Sequence, residues 1–152
     1  MKIGIIGTGN MGRILVEALI DGKAISPSSI MITNRTKSKA MVLKDKYREL
    51  RVGANPREVA AESDLVFICV KPLDVFKVLD EIKPHLSPNK CLVTITSPIS
   101  TSQIEKIVSC STARVIPSIT NRALSGVSLI TYGDKCSDHW KIKVEKLVIA
   151  KR

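Results

Sequence analysis

The chain is poor in residues that would mark several common functions. Aromatic side chains make up only 3% of its 152 residues. Few platforms are therefore available for stacking bases, which argues against a nucleic-acid partner despite a formal net charge of +10. Lys and Arg are spread along every predicted helix instead of gathering on one. The basic balance reads as solvated surface with a mild attraction for anionic cofactors and substrates. No run approaches the ~18 apolar residues that span a bilayer, so no membrane partner is expected. Met1-Lys2-Ile3 leads directly into an apolar run. That leaves no room for a cleaved leader, and a cytoplasmic location is expected. Cys69, Cys91, Cys110 and Cys136 are widely spaced with no C-x-x-C, which speaks against a disulfide scaffold or a zinc site. His85 and His139 lie far apart without metal-ligand spacing, so no metal is expected.

What is present is a core-forming composition and one phosphate-binding motif. Hydrophobic residues make up 44% of the chain, and its length suits one domain over 1–152. Near the start, Ile3-Gly4-Ile5-Ile6 runs into Gly7-Thr8-Gly9-Asn10-Met11-Gly12. Apolar residues then recur at Met11, Ile14, Leu15, Ala18 and Leu19, one face of a helix. A strand, a G-x-G-x-x-G and a helix in that order form the phosphate turn of a dinucleotide fold. Gly7 permits the tight turn. Gly9 lets a pyrophosphate approach the backbone. Gly12 lets the helix pack against the strand it left. The free N–H groups and positive dipole end of the helix then face the anion. Gly22 is the expected helix stop.

Apolar runs alternate with helical patterns along the rest of the chain. Strands are expected at 2–6, 30–33, 51–53, 65–70, 91–96, 113–116 and 127–131. Helices are expected at 11–20, 37–49, 56–62, 73–81, 101–109 and 137–148. Asn55 before Pro56, with Glu58 three residues on, reads as an N-cap, and Ser100 with Gln103 reads as a capping box. The strands are continuous Val/Ile runs, so both faces should be covered. The expected fold is α/β: a Rossmann-type, doubly wound, mainly parallel sheet with helices on both faces.

The tip of the second strand indicates which nicotinamide is used. An Asp or Glu there would bind the 2′-hydroxyl of NAD. This chain instead has Asn34-Arg35-Thr36-Lys37. A guanidinium favours a 2′-phosphate that a carboxylate would repel, so NADP (NADPH) is the expected cofactor. The fourth strand ends in Val70-Lys71-Pro72, beside the switch point of the sheet, with Pro72 opening the next helix.

With these residues in place, the chain resembles the N-terminal domain of the pyrroline-5-carboxylate reductase family. Ile5 to Gly12, Asn34-Arg35, Asn55 and Val70-Lys71-Pro72 carry the resemblance, and it is especially similar to the family's late competence branch. The resemblance implies an NADP-dependent oxidoreductase of proline biosynthesis that reduces a small cyclic imino acid. It implies that Gly7, Thr8, Gly9, Asn10, Met11 and Gly12 hold the pyrophosphate. Asn34, Arg35 and Thr36 would hold the adenosine ribose and its 2′-phosphate, and Asn55 would reach the cofactor. Val70, Lys71, Pro72, Thr96 and Ser97 would line the nicotinamide side. Two departures stand out. The sixth strand continues Ile116-Pro117-Ser118-Ile119-Thr120 where the family has Met-Pro-Asn-Thr-Pro. The family's C-terminal helical domain, which dimerises and completes the substrate pocket, is absent from this sequence. Turnover by these residues alone is therefore expected to be weak or missing, and no catalytic residue is assigned. Self-association is expected through the sheet edge and the apolar stripe bearing Trp140 and Leu147. The alternative reading is an NADP-binding regulatory protein of the competence or sporulation type, without turnover.

Overall fold

The computed structural model describes residues 1–95, 98–116, 119–120, 123–124 and 129–148. Among these, seven strands form one sheet in the order β3-β2-β1-β4-β5-β6-β9. They are β1 (Ile3–Ile6), β2 (Ile30–Thr33), β3 (Arg51–Val52), β4 (Leu65–Ile68), β5 (Cys91–Thr94), β6 (Ser111–Ile116) and β9 (Leu129–Tyr132). β7 (Ile119–Thr120) and β8 (Ala123–Leu124) form a separate two-stranded ladder. The first six strands of the sheet run parallel, and β9 closes on β6 antiparallel.

The strands are buried on both faces, as their unbroken Val/Ile runs require. Odd and even positions serve two separate cores. Ile3, Ile5, Leu65, Phe67 and Val93 face α1 (Asn10–Asp21), α2 (Lys37–Lys46) and α6 (Asp138–Val148). Ile6, Val66, Ile68 and Leu92 face α3 (Pro56–Glu62), α4 (Pro72–Ile82) and α5 (Thr101–Glu105). Two-residue alternation thus makes the sheet doubly wound. Both expected caps form. Asn55 Oδ1 accepts from Glu58 N at 2.9 Å, and Ser100 and Gln103 close a reciprocal capping box.

Several local expectations are corrected. β4 stops at Ile68, two residues before the expected end at Val70, because Cys69 and Val70 are taken up by the turn against Gly7. α2 ends at Lys46 and α5 at Glu105, earlier than their apolar patterns suggest. Gly22 does not supply the left-handed stop of α1. Its φ is −77°, and Lys23 takes the left-handed position at φ 58°. The helix still closes in a Schellman pattern, with Lys23 N bonded to Ile20 O and Ala24 N to Leu19 O, each at 3.0 Å. The final-helix stripe is also not a free surface. Trp140 is 5% exposed, and Val144 and Leu147 are buried with it against the sheet. Trp140 Nε1 donates to Asn89 O at 3.0 Å. The stripe expected to drive self-association is spent on the chain's own core.

Candidate functional site

The sheet order reverses at β1, whose neighbours are β2 on one side and β4 on the other. In open α/β sheets, ligands bind at the carboxyl ends of strands at such a point. Register brings the three strand ends level, with Ile6 beside both Thr33 and Ile68. Main-chain bonds then tie the three loops together. Gly7 N donates to Thr33 O and Cys69 N donates to Ile6 O, both at 2.8 Å.

The three motif glycines occupy different surroundings. Gly7 has φ +99°, and a Cβ there would lie 2.9 Å from the Cys69 backbone. A Cβ on Gly12 would lie 1.8 Å from the Gly7 carbonyl oxygen. Both positions are closed to a side chain by backbone atoms, which cannot swing away. A Cβ on Gly9 would meet no atom of the described residues within 4 Å. The absence of a side chain at Gly9 therefore serves no packing need among the described residues. It keeps clear the space beside the amino end of α1.

That end of α1 has no side-chain cap and no acidic residue in its first turn. Its opening N–H groups and the helix dipole suit an anion. Thr8 lies in the same turn and is buried, with no hydrogen-bond partner for its Oγ1 among the described residues. These features fit a pyrophosphate: bare amides, a clear approach at Gly9 and a hydroxyl able to donate. Asn10 is exposed and its Oδ1 accepts from Arg13 Nη2 at 3.2 Å, while Met11 is half-buried.

Asn34 serves as a strut. Its Oδ1 accepts from Thr8 N at 2.9 Å, and its Nδ2 donates to Thr36 O at 3.0 Å. It pins the glycine turn to the tip of β2, so its carboxamide is engaged by the chain itself. Arg35 stands next to it with a side chain 81% exposed, and Nη2 lies 3.6 Å from Asp74 Oδ2. Thr36 precedes α2 and makes no side-chain cap.

Val70, Lys71 and Pro72 follow β4 into the same crevice. Lys71 is exposed at the N-cap of α4, and Pro72 occupies its first turn. Cys69 adjoins them. Burial pushes its thiol up to about 12, so it is neutral at physiological pH and offers no nucleophile. Asn55 lies beyond β3, one strand further out, and its side chain is occupied by capping α3. Thr96, Ser97, Pro117 and Ser118 lie outside the described residues. No cluster of metal-ligating side chains exists among the described residues, and none of their helices is long and apolar enough to cross a membrane.

Asp74 was not legible as a site residue. It is remote from Arg35 in sequence, and only the adjacency of β2 and β4 to β1 brings the two together. The available signal was its place two residues after Pro72, at the opening turn of the helix that leaves β4.

Comparison with known proteins agrees with this fold. Residues 2–98 match the family described as NADP oxidoreductase coenzyme F420-dependent. The chain is 49% identical over 148 residues to ComE operon protein 4 of Bacillus subtilis, covering 97% of this chain and 54% of that one. It is 34% identical over 136 residues to the pyrroline-5-carboxylate reductase of Corynebacterium melassecola, covering 86% and 50%. It thus spans about half the length of these relatives. Among solved structures, the pyrroline-5-carboxylate reductase of Coxiella burnetii superposes with a TM-score of 0.89 at 27% identity, covering 99% of this chain and 56% of the other. The NADP-bound reductase of Plasmodium falciparum shares the fold, with a TM-score of 0.83 at 23% identity over 97% and 54%. The chain belongs to the NADP oxidoreductase coenzyme F420-dependent family, in the dinucleotide-binding domain that it shares with the pyrroline-5-carboxylate reductases.

Proposed function

We propose that residues 1–152 form one domain, the NADP-binding part of a reductase acting on a small cyclic imino acid of the pyrroline-5-carboxylate type. The observation that carries this reading is the contrast among the glycines. Gly7 and Gly12 are closed by backbone, while Gly9 is open beside uncapped helix amides. Thr8 to Gly12 would hold the pyrophosphate. Arg35 and Thr36 would face the 2′-phosphate, with Asn34 holding the two loops in register and Asn55 at the outer margin. Val70, Lys71 and Pro72, with Thr96 and Ser97, would border the nicotinamide. When bound, the dihydronicotinamide supplies the hydride that reduces a C=N bond. The chain's own contribution is position: loops anchored by the Gly7, Cys69 and Asn34 bonds fix where the cofactor can lie. No side chain among the described residues is assigned as the proton donor.

NADPH is the expected preference, because a guanidinium–phosphate contact forms charge-assisted hydrogen bonds. Isothermal titration of the wild-type chain should show NADPH binding about ten- to a hundredfold tighter than NADH, the scale of one or two such bonds. Arg35→Gln should bring the two cofactors to within about threefold of each other. Equal affinities in the wild type would overturn the role given to Arg35.

A second reading is favoured by the 49% identity to a protein named for its competence operon. Here the chain binds NADP and signals by contact, without turnover. An NADPH-oxidation assay with pyrroline-5-carboxylate separates the two. Slow but saturable oxidation supports the reductase, whereas tight NADPH binding with no oxidation supports the signalling protein.

A further inference from the structure

The counter-ion of Arg35 bears on cofactor choice in a way that Arg35 alone does not. Asp74 sits in the first turn of α4, where its N–H donates to Lys71 O at 2.8 Å. Pro72 sets the start of that helix. The loop before it packs against the phosphate turn, since Cys69 lies within 2.9 Å of where a Gly7 Cβ would be. The backbone position of Asp74 is therefore fixed relative to the turn. Its side chain is 32% exposed and points a carboxylate at Arg35 Nη2, 3.6 Å away. The positive end of α4 favours a negative side chain there.

We infer that Asp74 is a specificity-determining residue, whose carboxylate holds Arg35 in the free protein and opposes the 2′-phosphate of NADPH. This rests on the NADP reading above and refines it. A 2′-phosphate seated on Arg35 must displace the Arg35–Asp74 contact and then lie close to a like charge. NADH has no such group and meets neither cost. Asp74 thus narrows the gap between the cofactors and keeps NADH usable. The NAD-type arrangement carries its acid on the strand tip itself. Here the acid reaches the same place from the helix after β4, two strands away from β2 in the sheet.

The test is calorimetric titration of NADPH and NADH into Asp74→Asn. Asparagine keeps the size of the side chain and removes the charge. NADPH should bind roughly three- to tenfold tighter, the scale of one exposed ion pair plus one screened repulsion. NADH affinity should change by less than about 1.5-fold, and the gain for NADPH should shrink at high salt. Asp80→Asn is the control. It removes a negative charge from the same helix at a residue paired with Lys83, and it should leave both cofactors unaffected. Unchanged NADPH affinity in Asp74→Asn, or an equal gain for both cofactors, would overturn the inference. The outcomes separate from those of the parent reading. If Arg35→Gln abolishes the NADPH preference but Asp74→Asn does nothing, only the role of Asp74 falls. If Arg35→Gln leaves the ratio unchanged, the NADP reading itself falls.

Discussion

Gly12→Ala should destabilise the chain by about 3 kcal/mol or more, a drop of roughly 10 °C in Tm. The added methyl would lie 1.8 Å from the Gly7 carbonyl oxygen and 2.9 Å from its carbon. Gly7 cannot retreat. Its N–H is bonded to Thr33 O at 2.8 Å, and its α-carbon already faces the Cys69 backbone. The helix must therefore move off β1. It carries Ile14, Leu15, Val16 and Leu19, all buried, so a shift opens voids in the core, each felt at the level of single methylenes. A thermal melt followed by circular dichroism checks this. A wild-type Tm in Gly12→Ala would contradict the packing described for the turn.

Gly9→Ala should behave in the opposite way. Its methyl meets no atom of the described residues within 4 Å, and the φ of Gly9 is −70°, outside the left-handed region that favours glycine. Tm should fall by no more than about 4 °C, because Gly9 is the N-cap of α1 and Ala is the poorer cap by about 1 kcal/mol. NADPH affinity should nevertheless fall about ten- to a hundredfold. The methyl would stand where a pyrophosphate approaches the helix amides, and losing one or two charged hydrogen bonds costs about 1.5–3 kcal/mol each. The two variants together separate the parts of the motif. On the proposed reading Gly12 serves folding and Gly9 serves binding, so stability and affinity should respond to different glycines. Titration calorimetry beside the melt reads both. Undiminished affinity in Gly9→Ala would mean that this space is not used by the ligand.

Much of this was legible in the sequence because it is local. The βα turn needs only ten consecutive residues, and its steric logic is written in glycine spacing. The caps at Asn55 and Ser100 are equally short-range and both form. The unbroken apolar strands announced a sheet covered on both sides, and the alternation of Ile3 and Ile5 against Ile6 fulfils it. Non-local contacts were less legible. The sequence placed Asn34 among the cofactor residues, but it did not reveal that its carboxamide also bridges Thr8 and Thr36. Arg35 read as an unopposed cation, whereas Asp74 approaches from a helix two strands away in the sheet. The stripe of Trp140 and Leu147 read as a sticky surface, because an amphipathic helix does not say which neighbour covers its apolar face. β9 and β6 place that face over the sheet, where it is buried. Gly22 was mistaken for the left-handed stop because composition favours glycine there, yet the left-handed position falls one residue later on Lys23.

The account rests on a diphosphate seated at the amino end of α1. At 16.6 kDa the protein suits a two-dimensional amide NMR titration with NADPH. The largest shifts should fall on the N–H groups of Thr8 to Gly12, with a second set at Asn34 to Thr36, saturating together. Inorganic pyrophosphate should move the first set and leave the second in place. Shifts that saturate elsewhere in the chain while the Thr8 to Gly12 amides stay still would contradict the account.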